Sequence, residues 1–335
     1  MSNETVTAIP SPGKTTPDHV IAFEVAKHDL VVHTLPADRQ CTIANTPAAV
    51  RRLLKAEIKH NAQARLGTLL VVCEATGGYE RHVLHGAVEL GLEVHRAHGA
   101  RVRHFASYAG ARAKSDSIDA RLLAQFGRRT ENLRRYLPPS AVQLALRALE
   151  ERRCDLQAMR QAELNRLEHV THASVRCSLQ ASIRALTTAL AAIAAEITAL
   201  LRRDEAMARK AALMRSVPGI GAGVTVTVLA HMPELGTLSR GSSAALAGLV
   251  PYDDDSGARR GPRHIEAGRA AVRRALYMAA LTAVRVCPHL RALAERIRAR
   301  GKPFKAAIVA VMRKLIVILN AVLTTGQPCH YAKST

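Results

Sequence analysis

The chain has no tryptophan, and aromatic residues make up only 3% of its 335 positions. So few rings exclude a base-stacking platform as the main mode of recognition. The six cysteines, Cys41, Cys73, Cys154, Cys177, Cys287 and Cys329, include no Cys-x-x-Cys pair. That excludes a zinc knuckle and a disulfide framework and leaves reduced, structural thiols. No apolar run approaches the roughly 18 residues of a membrane span, and the first residues lack a signal-peptide pattern. A cytoplasmic protein that does not engage membranes is expected. Negative charge is also scarce, with 27 Asp+Glu against 48 Lys+Arg and a formal net charge of +21. Such a balance favours polyanionic partners through steering and counterion release. The 48% hydrophobic content is ample for real cores, and the length suits two or three domains.

Because acids are few, the places where they gather stand out. Glu24 lies in the apolar run His19-Val-Ile-Ala-Phe-Glu-Val25, followed by the turn-like Ala26-Lys-His-Asp29 and the strand-like Leu30-Val-Val-His-Thr-Leu35. The pattern predicts a β-hairpin with an acid on its first strand. Glu74 ends the β-rich stretch Thr68-Leu-Leu-Val-Val-Cys-Glu74, just before Ala75-Thr-Gly-Gly78, whose glycines mark a strand end. Asp116 and Asp119 stand three apart at the start of a helical pattern and project from one face. Together the four carboxylates suit Mg²⁺, which takes near-octahedral oxygen ligands and is held by a few carboxylates plus substrate phosphates. Two such ions about 4 Å apart stabilise the entering and leaving oxygens of an in-line displacement. This points to metal-dependent chemistry on phosphodiesters. Taken singly, each acid also has a plainer role: Asp116 as a helix cap, Glu74 as a solvated strand-end acid, Glu24 as a charge tolerated on an edge strand. An unpaired charge buried in an apolar strand is costly, which sets Glu24 apart.

Residues 1–18, with Pro10, Pro12 and Pro17, read as a disordered leader. From residue 19 to about 135, strand and helix signals alternate as in an α/β domain. Neither glycine nor proline occurs from Ser140 to Val217. There Ile183, Leu186, Leu190, Ile193, Ile197 and Leu200 follow the spacing of a coiled-coil seam. Val142, Leu149, Leu156 and Val170 keep an earlier heptad row that Glu163 breaks. Two long helices over 140–212, joined near 171–178, are predicted. Their seam pairs either within one chain, as an antiparallel hairpin, or between subunits.

A mainly α segment, 213–325, follows, with a tail at 326–335. It opens with Val217-Pro-Gly-Ile-Gly-Ala-Gly223 between two helical runs. This resembles a helix-hairpin-helix element, in which Gly219 and Gly221 let backbone N–H groups approach a phosphate; a plain Pro/Gly turn would look the same. The loop Asp253-Asp-Asp-Ser-Gly-Ala-Arg-Arg-Gly261 comes next, then a basic helical stretch over 263–285 with Arg273 and Arg274. Gly301-Lys-Pro-Phe-Lys305 leads into a last helical run carrying Arg313 and Lys314. With Lys114 beside the acids, Arg273, Arg274, Lys302, Lys305, Arg313 and Lys314 are candidate phosphate contacts, although a solvated helix face explains many of them equally well.

The segments Phe23-Glu-Val-Ala-Lys27, Glu74-Ala-Thr-Gly-Gly-Tyr79 and Ala113-Lys-Ser-Asp-Ser-Ile-Asp-Ala120 come first. Val217-Pro-Gly-Ile-Gly221, Asp255-Ser-Gly257, Arg273-Arg-Ala-Leu-Tyr-Met-Ala-Ala280, Gly301-Lys302 and Met312-Arg-Lys-Leu315 follow in order. Together they resemble the DEDD transposases of insertion sequences, the bridge-RNA-guided serine recombinases whose catalytic domain is similar to Holliday-junction resolvases. The resemblance covers roughly residues 19–325. It implies a ribonuclease-H-like (resolvase-like) domain over 19–135, a coiled-coil middle over 140–212 and a C-terminal transposase domain over 213–325 with a nucleophilic serine. Matched by position, that serine is Ser256; from the residues alone it sits in an ordinary Asp-Ser-Gly turn.

The resemblance further implies that Glu24, Glu74, Asp116 and Asp119 hold Mg²⁺ while Ser256 forms a transient phosphoserine link, which conserves the phosphodiester energy. It implies donor and target DNA, a structured guide RNA that pairs with both, and action at the bacterial nucleoid. It also implies a homo-oligomer, dimer or tetramer, in which carboxylate and serine domains of different subunits meet. One position departs from the pattern: the family's first acid is typically Asp, and Glu24 is longer by a methylene, roughly 1 Å. The same residues also fit a metal-dependent junction endonuclease in which water attacks, or a catalytically inactive nucleic-acid-binding relative.

Overall fold

The chain divides after Pro138 into two units. The computed structural model describes residues 17–110, 116–131, 133–252, 255–256, 259–260, 264–265 and 268–330. The expected leader therefore lies almost wholly outside the described residues, as do the last five positions of the expected tail.

In the first unit, β1 (His19–Val25), β2 (Asp29–Leu35) and β3 (Arg39–Ala44) form an antiparallel meander. β4 (Leu69–Glu74) adds parallel to β1, and β5 (Glu93–Ala97) parallel to β4, giving the order β3-β2-β1-β4-β5. Helices α1 (Pro47–Ala64), α2 (Arg81–Glu89), α3 (Gly99–Tyr108) and α4 (Asp116–Arg129) cover the sheet. α1 starts where the Thr46 hydroxyl accepts the Ala49 N–H at 3.3 Å and Pro47 takes the first turn.

Side chains alternate across a strand, and β1 is covered on both faces, hence its nearly unbroken apolar run. Ile21, Phe23 and Val25 pack with Val50 and Leu54 of α1 and Val83 and Leu84 of α2. Val20 and Ala22 face the other way, onto Val102 of α3 and Leu123, Ala124 and Phe126 of α4. The hairpin and the strand that Glu74 ends fall where the sequence pattern predicted them; α3 was not anticipated.

The second unit opens with α5 (Ala141–His169) and α6 (Ala173–Arg203), joined by three residues. So short a connection folds α6 back along α5. Every seam residue of α6 is buried or half-buried, while most positions between them are exposed. The seam thus runs along the side of α6 that is least exposed within the chain. The remaining elements are α7 (Glu205–Arg215), α8 (Ala222–His231), α9 (Arg240–Leu246), the two-residue strands β6 (Pro251–Tyr252), β7 (Asp255–Ser256), β8 (Arg259–Arg260) and β9 (His264–Ile265), then α10 (Ala270–Val286), α11 (Pro288–Ala299) and α12 (Phe304–Thr325).

One core links Leu146 and Ile197, at the root of the hairpin, to Met214, Leu229, Leu276, Leu290 and Leu315. Polar pins reinforce this root. Gln143 Nε2 donates to the carbonyls of Leu229 and Ala230 at 2.8 and 3.1 Å, and the fully buried Glu150 accepts the Thr227 hydroxyl at 2.6 Å while paired to Arg153. Packing is therefore continuous across residue 212.

The basic stretch expected to be helical over 263–285 begins its helix only at Ala270. Gly268, at φ 68°, interrupts it, and His264–Ile265 pair as a strand with β6. The expectation about apolar runs also needs correcting, since α6 and α12 are both long and apolar enough to cross a membrane. In α12 that surface is spent in the core, where Ile308, Leu315 and Leu319 are buried.

Candidate active site

In the parallel register of β1 and β4, Phe23 stands beside Cys73, which places Glu24 and Glu74 at neighbouring strand ends. Both belong to the face of Val20, Ala22 and Val72, the one that α4 covers, and both are half-buried. Asp119 lies in the first turns of α4, half-buried, next to the fully buried Ala120. Asp116 opens the same helix, but its side chain falls outside the described residues, as does Lys114 altogether.

The structure thus brings Glu24 and Glu74 side by side and sets Asp119 on the helix that roofs them. Among the described residues, no three His, Cys, Asp or Glu side chains gather tightly enough to hold a metal ion. The donor chemistry still suits a hard cation, being carboxylate oxygen throughout. Mg²⁺ is commonly held by one or two carboxylates and completed by waters and substrate phosphates. The neighbouring Cys73 points to the opposite core, where burial pushes its thiol up to about 12, so it stays protonated and unreactive.

Two features around Glu74 were not read from the sequence. A Cβ at Gly99 would lie 2.3 Å from Glu74 Oε1, so the carboxylate occupies the space that glycine leaves at the start of α3. The loop after Glu74 is then gathered by Glu80, which is 1% exposed. Glu80 Oε2 accepts the N–H groups of Gly78 and Thr76 at 2.8 and 3.3 Å, and Oε1 meets Arg96 at 2.5 Å. Burial pushes this carboxyl up, but backbone N–H groups and the Arg96 guanidinium outweigh it and hold it below the usual range. The only signal for this role was an acid close behind the Gly-Gly pair.

In the second unit, the backbone of Ser256 belongs to β7, which pairs antiparallel with β8. The β6–β9 pair brackets this small hairpin in sequence. The Ser256 side chain lies outside the described residues. Gly219, at φ 83°, packs against α10: a Cβ there would lie 2.5 Å from the Ala279 carbonyl and 2.8 Å from the Ala283 nitrogen. Its absence of a side chain thus serves packing. Gly221 caps α8, is exposed and has open space around it. Arg274, Lys302, Lys305, Arg313 and Lys314 are exposed, and Arg273 is half-buried.

A family profile described as Transposase, that of the IS110-type DEDD group, matches residues 25–173, starting one residue past Glu24. A second, described as Transposase IS116/IS110/IS902 family, matches residues 211–295. The pilin gene-inverting protein of Moraxella lacunata is 27% identical over 320 residues, 92% of this chain and 96% of that protein. Its namesake in Moraxella bovis is 27% identical over 300 residues, 87% and 90% of the two chains. An uncharacterized 42 kDa protein of insertion element IS900 from Mycobacterium paratuberculosis is 30% identical over 171 residues, 49% and 41% of the two.

Proposed function

This chain belongs to the IS110 family of transposases, and on that premise we propose that it cuts and rejoins DNA through a transient phosphoserine link, guided by a structured RNA. The observation that carries the proposal is the pair Glu24 and Glu74 on adjacent strand ends, beneath the helix that bears Asp119. We read the meander followed by two parallel strands as a ribonuclease-H-like core, for which these are the acidic positions.

In this reading Glu24, Glu74, Asp116 and Asp119 hold a divalent cation, Mg²⁺. Bound there, the ion supplies charge against the negative charge that develops on the scissile phosphate. The Ser256 hydroxyl is a poor nucleophile at neutral pH and needs a base close by. Its Oγ attacks phosphorus and its proton passes to that base, while the bond from phosphorus to a sugar oxygen breaks and that oxygen takes up a proton from solvent to leave as a hydroxyl. The hydroxyl of the exchanged strand then attacks the phosphoserine, restores a phosphodiester and frees the serine. The number of phosphodiesters is unchanged, so no high-energy cofactor is consumed. Inversion of a gene, the activity in the Moraxella relatives' name, is likewise a cut-and-rejoin reaction, which supports rejoining over hydrolysis. Donor and target DNA are the substrates, the guide RNA selects them by pairing, and a homo-oligomer joins carboxylate and serine domains of different subunits.

With guide RNA, Mg²⁺ and matched DNA, the protein should yield a denaturant-resistant protein–DNA adduct that peptide mapping places within residues 253–260. Ser256→Ala should bind RNA and form none. Glu74→Gln and Asp119→Asn should also bind RNA without forming adduct, whereas Glu24→Asp should match or exceed the parent protein. An adduct in Ser256→Ala, or one on another residue, would overturn the serine reading in favour of hydrolysis by water.

A further inference from the structure

Asn45 stands between β3 and α1, just before the cap residue Thr46, and is 8% exposed. Its side-chain amide makes two donations that no helix cap requires. Nδ2 donates to the Ala26 carbonyl at 2.9 Å and to the Tyr79 carbonyl at 3.1 Å. Ala26 is two residues past Glu24, and Tyr79 lies in the loop that follows Glu74. The Asn45 backbone N–H also donates to the His28 carbonyl at 2.7 Å, closing the β1–β2 turn from the same side. His82 Nδ1 in turn lies 3.0 Å from the Asn45 carbonyl and 3.2 Å from Oδ1, tying the cluster to α2. On the far side of the loop, Glu80 collects Thr76 and Gly78 and anchors them to Arg96 on β5.

Pairing of β1 with β4 ends at Phe23 and Cys73, so beyond those residues the β1–β4 ladder no longer fixes one chain against the other. Glu24 stays paired to Val31 of β2 and Glu74 to Ala97 of β5, each held from its outer side, while the β1–β4 register stops short of joining the two ends to each other. We infer that Asn45, seconded by Glu80 and His82, is a positioning residue that clamps the Glu24 and Glu74 strand ends at the separation a shared cation requires. It touches no reacting atom. Its amide bridges the β1–β2 turn and the loop after Glu74, which the β1–β4 register does not join, and outer partners that orient metal ligands commonly change metal affinity about 10- to 100-fold when removed. The inference rests on the proposal that Glu24 and Glu74 hold the cation.

Asn45→Asp keeps the size of the side chain and abolishes both donations. In the full-length protein, the Mg²⁺ concentration that half-saturates DNA cleavage should rise by about 10-fold or more, with the rate at saturating Mg²⁺ largely recovered. Mn²⁺ binding to the protein alone, followed by electron paramagnetic resonance, should weaken in parallel. His82→Ala, at an exposed position, should shift both measurements the same way by a smaller factor and answers the question if Asn45→Asp fails to fold. Unchanged Mg²⁺ half-saturation and Mn²⁺ affinity in these variants would overturn the inference. Glu74→Gln separates the two layers: if it loses Mn²⁺ while Asn45→Asp does not, the clamp fails and the carboxylate site stands. If Glu74→Gln binds Mn²⁺ like the parent protein, the carboxylate site itself fails.

Discussion

One missing methyl group shapes the surroundings of Glu74. Gly99→Ala would place a carbon 2.3 Å from Glu74 Oε1, and the atom that must yield is the far end of a flexible side chain. The strand and helix can stay where they are while the carboxylate swings away. Cleavage should therefore fall by about 10²-fold, the usual effect of a misplacement near 1 Å, while the melting temperature moves little. Wild-type cleavage rates in Gly99→Ala would show that the Glu74 rotamer does not matter. Glu24 and Glu74 were legible in the sequence because a charge ending an apolar strand is conspicuous. Gly99 and Asn45 were not, because each acts through a contact with a residue distant in sequence, and for Glu80 only its pair with Arg96 is of that kind, the rest of its bonds being local to the loop. For Gly219 the sequence offered a phosphate contact or a plain turn, and the structure adds its close approach to α10.

At the scale of elements, the helical hairpin is rooted in the C-terminal core. Leu146 of α5 is fully buried in that core, and α5 packs against α6 and α8. Leu146→Ala should cost about 2–5 kcal/mol and lower the melting temperature of the whole second unit. Amide exchange should accelerate in α8 and α10 together with α5. Loss of protection confined to α5 and α6 would mean that the hairpin folds on its own. The heptad spacing revealed the seam of α6 but not its partner, because pairing within a chain and pairing between chains leave the same pattern. The three-residue connection that lays α6 along α5 carries no glycine or proline to mark it. Likewise, basic residues ran through 263–285 without showing where strand gave way to helix, and the single Gly268 made the difference.

For the whole molecule, a net charge of +21 should dominate binding. RNA affinity should fall by about an order of magnitude or more between roughly 50 and 200 mM salt. Replacing the exposed Arg274, Lys302, Arg313 and Lys314 together with Ala should flatten that dependence, read as the slope of log affinity against log salt. An identical slope would mark them as ordinary surface charges. The two units also differ in when they can close during synthesis. The first draws its core from Val20 to Phe126, with Leu133 and Tyr136 packed against it. The second needs residues from Leu146 to Val322, and α12 supplies much of its centre. At about 5–20 residues per second, the ribosome takes on the order of 10 to 40 s to add residues 139 to 325, and N-terminal domains generally fold first. Each nascent chain can therefore close its first core while the second unit still lacks the helix at its centre. On the proposed mechanism, which needs Ser256 as well as the acids, strand cleavage becomes possible only once α12 has emerged.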